Sequence, residues 1–262
     1  MGSELTPIDK AKFVAAKQAT EYVENGMKLG LGTGSTAAWF VTCLGEMVRD
    51  DGLKLTCVAT SDETASLARQ VGLKVVSLEE ARWLDLTVDG TDEFDETLAL
   101  IKGGGGALLR EKIVATASDR MMVIADASKR VAQLGAFPLP VEVVPFGAAI
   151  TGGLIQEMLI GMDVLGREAV LRMEGDTPFV TDEGNYILDL HLKHIGDPRR
   201  ISFMLNQIPG VIENGLFIDI CDTVIVGHGD GKVTVRDFTN NSAEIHHYDV
   251  RDDDNIFMDI ED

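Results

Sequence analysis

MKLGLGTGSTAAWFVTCLGEMV, residues 27–48, reads as an apolar strand, a glycine turn and a helix in succession. Glycines let the chain reverse tightly, and the apolar spacing that follows has the period of a helix. The pattern recurs on both sides. Upstream, IDKAKFVAAKQATEYVEN (8–25) sets Phe13, Ala16, Tyr22 and Val23 at helical spacing, with Asn25-Gly26 as its stop. Downstream, KLTCVAT (54–60), LKVVSL (73–78), LDLTVDG (84–90) and RMMVIAD (120–126) predict short strands. Between them lie two helical runs, SDETASLARQVG (61–72) with Ser61 as N-cap, and ALLREKIVATAS (107–118). Strands alternating with helices through short glycine loops predict an α/β fold, with a mostly parallel sheet covered on both faces. Ligands of such sheets sit beyond the carboxyl ends of the strands. GTGST, SDET, DGTDE and ADASK all fall there.

The texture changes at LGAFPLPVEVVPFG (134–147), which gathers three of the seven prolines. Beyond it, LRMEGDTPFVTDEGNYILDLHL (171–192) predicts two antiparallel strands joined at DEGN, with helices over 148–162 and 198–208. Residues 137–211 are therefore expected to form a smaller α+β domain, inserted into a main domain of 1–136 and 212–235. Strands within 215–235 would return to the first sheet. Residues 236–262 are acidic and without clear period, which predicts a solvated tail, pinned if anywhere by Ile256, Phe257 and Ile260.

A net charge of −20 argues against a nucleic-acid backbone or an anionic membrane as partner. Cys43, Cys57 and Cys221 lie far apart, which suggests neither zinc nor a disulfide framework and fits a reducing, cytoplasmic setting. No apolar run approaches the length of a spanning helix. MGSELT matches a myristoylation pattern at Gly2, but no polybasic patch follows and the match is read as coincidence.

Three stretches could carry chemistry. In GLGTGST (Gly30–Thr36) backbone N–H groups and the Ser35 and Thr36 hydroxyls can converge on an anion at a helix N-terminus. It is not a nucleoside-triphosphate loop, since no Gly-Lys-Ser/Thr follows, and Ser35 takes the place of the third glycine of a dinucleotide turn. A single phosphate is the better functional reading, an ordinary tight turn the alternative. DGTDEFD (Asp89–Asp95) crowds carboxylates at a strand end; Phe94 stands where a calcium loop needs glycine, and two carboxylates near a sugar could exchange protons with its hydroxyls. In KGGGGALLREK (102–112) four glycines let the backbone approach a small ligand beside the Lys102 cation. Glu111 has apolar neighbours at Ala107, Leu108, Val114 and Ala115, and burial would raise its pKa toward that of a general base. Arg110 and Lys112 have similarly apolar neighbours, so periodicity does not choose among the three. Lys129 of ADASK could reach the same crevice or be a surface lysine. The five histidines show no metal spacing.

Taken in order, GLGTGSTA, VDGTDEFD, IKGGGGALLREKIVA and IADASKRVAQLGAFPLPVEVVPF closely resemble the type A ribose-5-phosphate isomerase family, and GVIENGLFIDICDTVIVG (210–227) extends the match. The resemblance implies a Rossmann-like, mostly parallel sheet carrying a smaller α+β domain. It implies cofactor-independent and metal-independent interconversion of D-ribose 5-phosphate and D-ribulose 5-phosphate through an enediolate, in the non-oxidative pentose phosphate pathway. It assigns proton transfer between C2 and C1 to Glu111, hydroxyl protons and ring opening to Asp89 and Asp92, and stabilisation of the enediolate oxygen to Lys102. It places the substrate, chiefly its phosphate, against Thr33, Gly34, Ser35 and Thr36, with Lys129 and Lys12 near it. Gly90, Thr91 and the amides of Gly103, Gly104 and Gly105 would line the sugar. A small sugar phosphate is the implied partner, with a homodimer or homotetramer as the assembly. The chain departs from the family at Thr91, where alanine is commoner, and in its long tail.

Two other classes predict different sequences. A sugar-phosphate-binding sensor of the same superfold would carry a DNA-binding helix-turn-helix and a basic patch, and would give Glu111 no task. A sister deaminase or lactonase would be expected to place a histidine in the crevice, and none of these motifs contains one.

Overall fold

The strands Lys28–Leu31, Thr56–Ala59, Leu86–Asp89, Met121–Asp126 and Thr223–Gly227 run parallel in the computed structural model, which describes residues 5–249. Two antiparallel strands, Lys232–Asp237 and Ser242–His247, complete a seven-stranded sheet. Across the sheet the order is 242–247, 232–237, 223–227, 121–126, 86–89, 28–31, 56–59. Met121–Asp126 and Thr223–Gly227 are buried along their whole length, the mark of parallel strands covered on both faces. Helix Pro7–Thr20 is capped by the Thr6 side chain, and it meets helix Ser35–Asp51 through Phe13 and Trp39, whose rings pack edge to face at 5.6 Å. Val14, Phe40, Leu44, Leu29, Leu31, Val88, Ile124 and Ile225 form the core of this unit. The α/β reading with a mostly parallel sheet therefore holds.

Contacts gather the chain into two units, one of Met1–Gly90, Ile113–Ser128 and Ile220–Asp262, the other of Thr91–Lys112 and Lys129–Asp219. These bounds differ from 1–136, 137–211 and 212–235. The second unit takes in Thr91–Lys112 because Leu100–Ile101 pairs with Glu93–Phe94 on one side and Leu216–Phe217 on the other. Its larger sheet is antiparallel, in the order 211–214, 139–143, 186–191, 168–171, with helices Ala148–Met158 and Pro198–Leu205 over a core of Leu139, Val141, Leu190, Ile155 and Leu205.

Other differences have local causes. Tyr186–His191 pairs with both Leu139–Val143 and Glu168–Leu171, so DEGN is not the turn of a simple hairpin. The tight turn falls between Met173–Glu174 and Thr177–Pro178, where Gly175 supplies a left-handed φ of 60°. LKVVSL makes only a bridge from Val75 to Cys57, because Ser77 caps the short helix Leu78–Ala81. The first helix stops at Thr20, before Asn25-Gly26, where Tyr22 and Val23 continue in single turns. Ser242–His247 is an edge strand where a tail was expected; its residues are mostly exposed, so it carries no apolar alternation. Ile256, Phe257, Ile260 and Gly2 lie outside the described residues. Among the described residues no helix is long and apolar enough to cross a membrane.

Candidate active site

In the first unit the carboxyl ends of three neighbouring strands present Gly32, Thr60 and Gly90. Gly32 is fixed by packing: a Cβ there would overlap the Asp89 carboxylate and come within 2.5 Å of its Cα. Asp89 is wholly buried, and its Oδ1 accepts from the amides of Thr33 (3.2 Å) and Gly90 (2.7 Å). Gly34 takes φ 98° and opens helix Ser35–Asp51 without a side-chain capping hydrogen bond. Lys12 reaches across from its own helix, Nζ donating to Ser35 Oγ at 2.9 Å. The Thr33 hydroxyl lies 2.7 Å from that of Thr60 and 3.3 Å from that of Thr64, and Thr64 donates to the Gly32 carbonyl at 3.0 Å. Lys12, Thr33, Gly34, Ser35, Thr36, Asp89 and Gly90 thus share one unit, as an anion site built on a helix N-terminus requires. Thr60, Ser61 and Thr64, which hold this loop, are not among the candidate site residues; the signal for them is SDET, a strand-end segment whose residues carry no role of their own in the sequence reading beyond the Ser61 cap.

In the second unit Lys102 follows the strand Leu100–Ile101, and its amide donates to the Gly215 carbonyl at 2.9 Å. Its Nζ lies 3.3 Å from Glu111 Oε1, both side chains being almost wholly out of water. Taking two such charges out of water costs on the order of several kcal/mol per ion, so their burial calls for a reason beyond stability. The glycine run is less open than its sequence suggests. The Gly104 amide donates to Asp92 Oδ2 at 2.8 Å, and the Gly106 amide closes a turn on the Gly103 carbonyl. Gly103 and Gly106 take φ of 100° and 85°, so the run is a shaped loop, with Gly104 and Gly105 its exposed part.

Of the three charged residues that periodicity left open, Glu111 is the most buried, and all three are paired. Arg110 meets Asp182 and Glu183, while Lys112 donates to Glu213 Oε1 (2.9 Å) and the Asn214 carbonyl (2.5 Å). Burial pushes the Lys112 pKa below its ordinary value, with Glu213 opposing. The Phe217 ring lies 5.4 Å from the Lys102 ammonium and 4.8 Å from that of Lys112. The Thr91 hydroxyl bonds to the carbonyls of Glu93 and Ile101, which gives it a structural task in this chain. Lys129 ends a short turn, half-buried, at the start of the second unit's longer segment. Among the described residues no three His, Cys, Asp or Glu side chains are grouped to hold a metal ion.

Residues 56–231 match the model of ribose 5-phosphate isomerase A (phosphoriboisomerase A). The chain is 66% identical, over the full length of both, to a ribose-5-phosphate isomerase A of Ruegeria pomeroyi, and 63% identical over 99% of each to that of a Jannaschia species. Among solved structures it matches a D-ribose-5-phosphate isomerase in complex with phospho-erythronic acid at 36% identity and TM-score 0.79, over 93% of this chain and all of the other. It matches the enzyme of Plasmodium falciparum at 31% identity and TM-score 0.78, over 91% and 98%.

Proposed function

The chain belongs to the ribose 5-phosphate isomerase A family, and from that premise we propose how its residues divide the work of interconverting D-ribose 5-phosphate and D-ribulose 5-phosphate. Isomerisation moves a proton from C2 of the open-chain aldose to C1. Glu111 takes the C2 proton as a carboxylate; the electron pair left behind forms the C1–C2 double bond, and the aldehyde oxygen becomes an oxyanion. Lys102 and the exposed amide face of the glycine loop stabilise that oxyanion, which is where preorganised donors contribute most. The proton returns from Glu111 to C1 as O2 becomes the ketone, and its hydroxyl proton passes to O1. Asp92, hydrogen-bonded to the glycine loop, and Asp89 carry the hydroxyl protons and assist ring opening. Thr33, Gly34, Ser35 and Thr36 bind the phosphate on a helix N-terminus with Lys12 beside it, and Lys129 adds charge.

The buried Lys102–Glu111 pair is the observation that carries this reading. It explains why a cation and a carboxylate are held dry at the end of a glycine loop, where a structural pair would contribute little. The test is isomerisation of ribose 5-phosphate by wild type and Glu111→Gln at matched folding. A wild-type-like rate in the variant would remove Glu111 from its role.

The ligand of one solved relative suggests an inhibitor class. Phospho-erythronic acid joins a phosphate to a planar carboxylate, as the enediolate joins a phosphate to two coplanar oxygens. We extend that class to this chain as competitive inhibitors. We also place the enzyme in the cytoplasm as a homodimer or homotetramer. The free thiols of Cys43, Cys57 and Cys221 suit a reducing compartment. Phe146, Ile150 and Leu154, exposed at four-residue spacing, offer an apolar stripe for self-association, which light scattering would test.

A further inference from the structure

Arg172 is absent from every motif that pointed to the site, yet it grips the glycine loop directly. Its Nε and Nη2 donate to the two carboxylate oxygens of Asp189 at 2.9 and 2.5 Å. Its Nη1 donates to the carbonyls of Gly103 and Gly104, both at 3.0 Å. The guanidinium also lies 5.8 Å from the Phe179 ring centre. Main-chain bonds fix its base, since Arg172 N donates to Ile187 O at 2.8 Å and Phe179 N donates to Arg172 O at 2.9 Å. A planar fork locked on one carboxylate leaves its remaining N–H groups a single direction, and here that direction holds two successive carbonyls.

The consequence follows from peptide geometry. In a trans peptide the C=O and the N–H point in opposite directions. With the Gly103 carbonyl held by Arg172, the Gly104 N–H must face the other way, and it donates to Asp92 Oδ2 at 2.8 Å. The same argument turns the Gly105 N–H away from Arg172. Each hydrogen bond from the guanidinium also polarises the peptide it touches, which makes the opposite N–H a stronger donor. At 104 a Cβ would lie 2.6 Å from Asp92 Oδ1, so any side chain there would push that carboxylate aside.

We infer that Arg172, set by Asp189, is a positioning residue for the isomerisation: it acts through the Gly103–Gly104 peptide on Asp92, and through the Gly104–Gly105 peptide it aims the Gly105 amide at the developing oxyanion. This deepens the division of roles given above and rests on it. Lysine at 172 would keep the charge and lose the fork.

The test is a double-mutant cycle on the full-length enzyme with Arg172→Lys, Asp92→Asn and the pair, reading kcat, KM and thermal midpoint with ribose 5-phosphate. Arg172→Lys is expected to lower kcat by about 10- to 100-fold, the scale of a small misplacement of catalytic groups, with KM within about threefold. The double variant should lose clearly less than the product of the single losses, because both changes act on one peptide. In Arg172→Ala, added guanidinium should restore part of kcat. A lowered midpoint with unchanged kcat in Arg172→Lys would overturn the inference, as would losses that multiply in the pair. Glu111→Gln, assayed in parallel, keeps the two failures apart: full turnover there sinks the role of Glu111, whereas the cycle alone judges Arg172. Wild-type kcat in Asp92→Asn would overturn the link from Arg172 to Asp92.

Discussion

Lys102 Nζ stands 3.3 Å from Glu111 Oε1, with about 2% and 5% of the two side chains exposed. The pair joins the residue before the glycine loop to the first turn of the helix after it, so both ends of the loop are held by one interaction. A neutral amide at 111 keeps the shape and removes the base. Glu111→Gln should therefore lower kcat by about 10² to 10⁴, the range of general acid–base catalysis, with a much smaller change in KM. Steady-state kinetics of ribose 5-phosphate isomerisation check this.

Breaking the pair from the other side tests its electrostatics. Lys102→Met leaves a buried carboxylate without its cation, and should destabilise the fold by about 3–5 kcal/mol. Adding Glu111→Gln to that variant should recover part of the loss, although neither protein turns over. Urea denaturation of the wild type and the two variants gives the comparison.

Two glycines of the loop Gly30–Thr36 should respond unequally to alanine. At Gly34 a Cβ meets nothing within 4 Å and only the backbone, at φ 98° and ψ 173°, is strained, which costs on the order of 1–3 kcal/mol. At Gly32 a Cβ overlaps Asp89 and its backbone. Gly32→Ala should lose soluble folded protein or all activity, while Gly34→Ala folds with a raised KM. Expression, circular dichroism and kinetics separate the two.

Lys12→Met should raise KM for ribose 5-phosphate by about 10- to 100-fold, the value of a hydrogen bond to a charged group, with kcat less affected. The KM of the wild type should rise with salt more steeply than that of the variant, since screening acts on the charge removed. Titration with sodium chloride checks the difference.

Glu142 makes a prediction about pH. Burial raises its pKa above the ordinary 4.5, with hydrogen bonds from Asn185 and Thr181 opposing, Glu183 adding to the rise and Arg110 countering it. The folded protein then binds more protons than the unfolded chain between 4.5 and the raised value, so stability falls as pH rises through that window. Glu142→Gln should flatten this fall and unfold at higher urea than wild type at neutral pH, with the advantage gone below the ordinary carboxyl pKa. Denaturation midpoints from pH 4 to 8 test the sign.

The sheet and its strand-end loops were legible because buried parallel strands are continuous apolar runs and each ends in a glycine or a polar cluster. Met121–Asp126 is such a strand. Ser242–His247 was not legible, since an exposed edge strand needs no apolar face and is held by backbone pairing alone. On the helix Leu108–Thr116 periodicity could not rank Arg110, Glu111 and Lys112, because the partners that sort them lie off the helix: Lys102 before the glycine loop, Asp182 and Glu213 in distant segments. Arg172 was hidden for the same reason. Its carboxylate lies 17 residues away and its two glycine carbonyls 69 and 68, separations that no local pattern encodes.

The main chain of Lys102 has a bearing on time as well as place. Its N–H is bonded to Gly215 O, and Gly215 N donates in turn to Pro140 O, inside the antiparallel sheet. A buried amide tied into a sheet in this way exchanges its hydrogen only when that sheet opens, which takes a large share of the unfolding free energy. The ammonium is therefore carried on a main chain pinned to that sheet, directly before a loop of four glycines. Hydrogen exchange at the Lys102 amide should accordingly be slower than at the amide of the exposed Gly105.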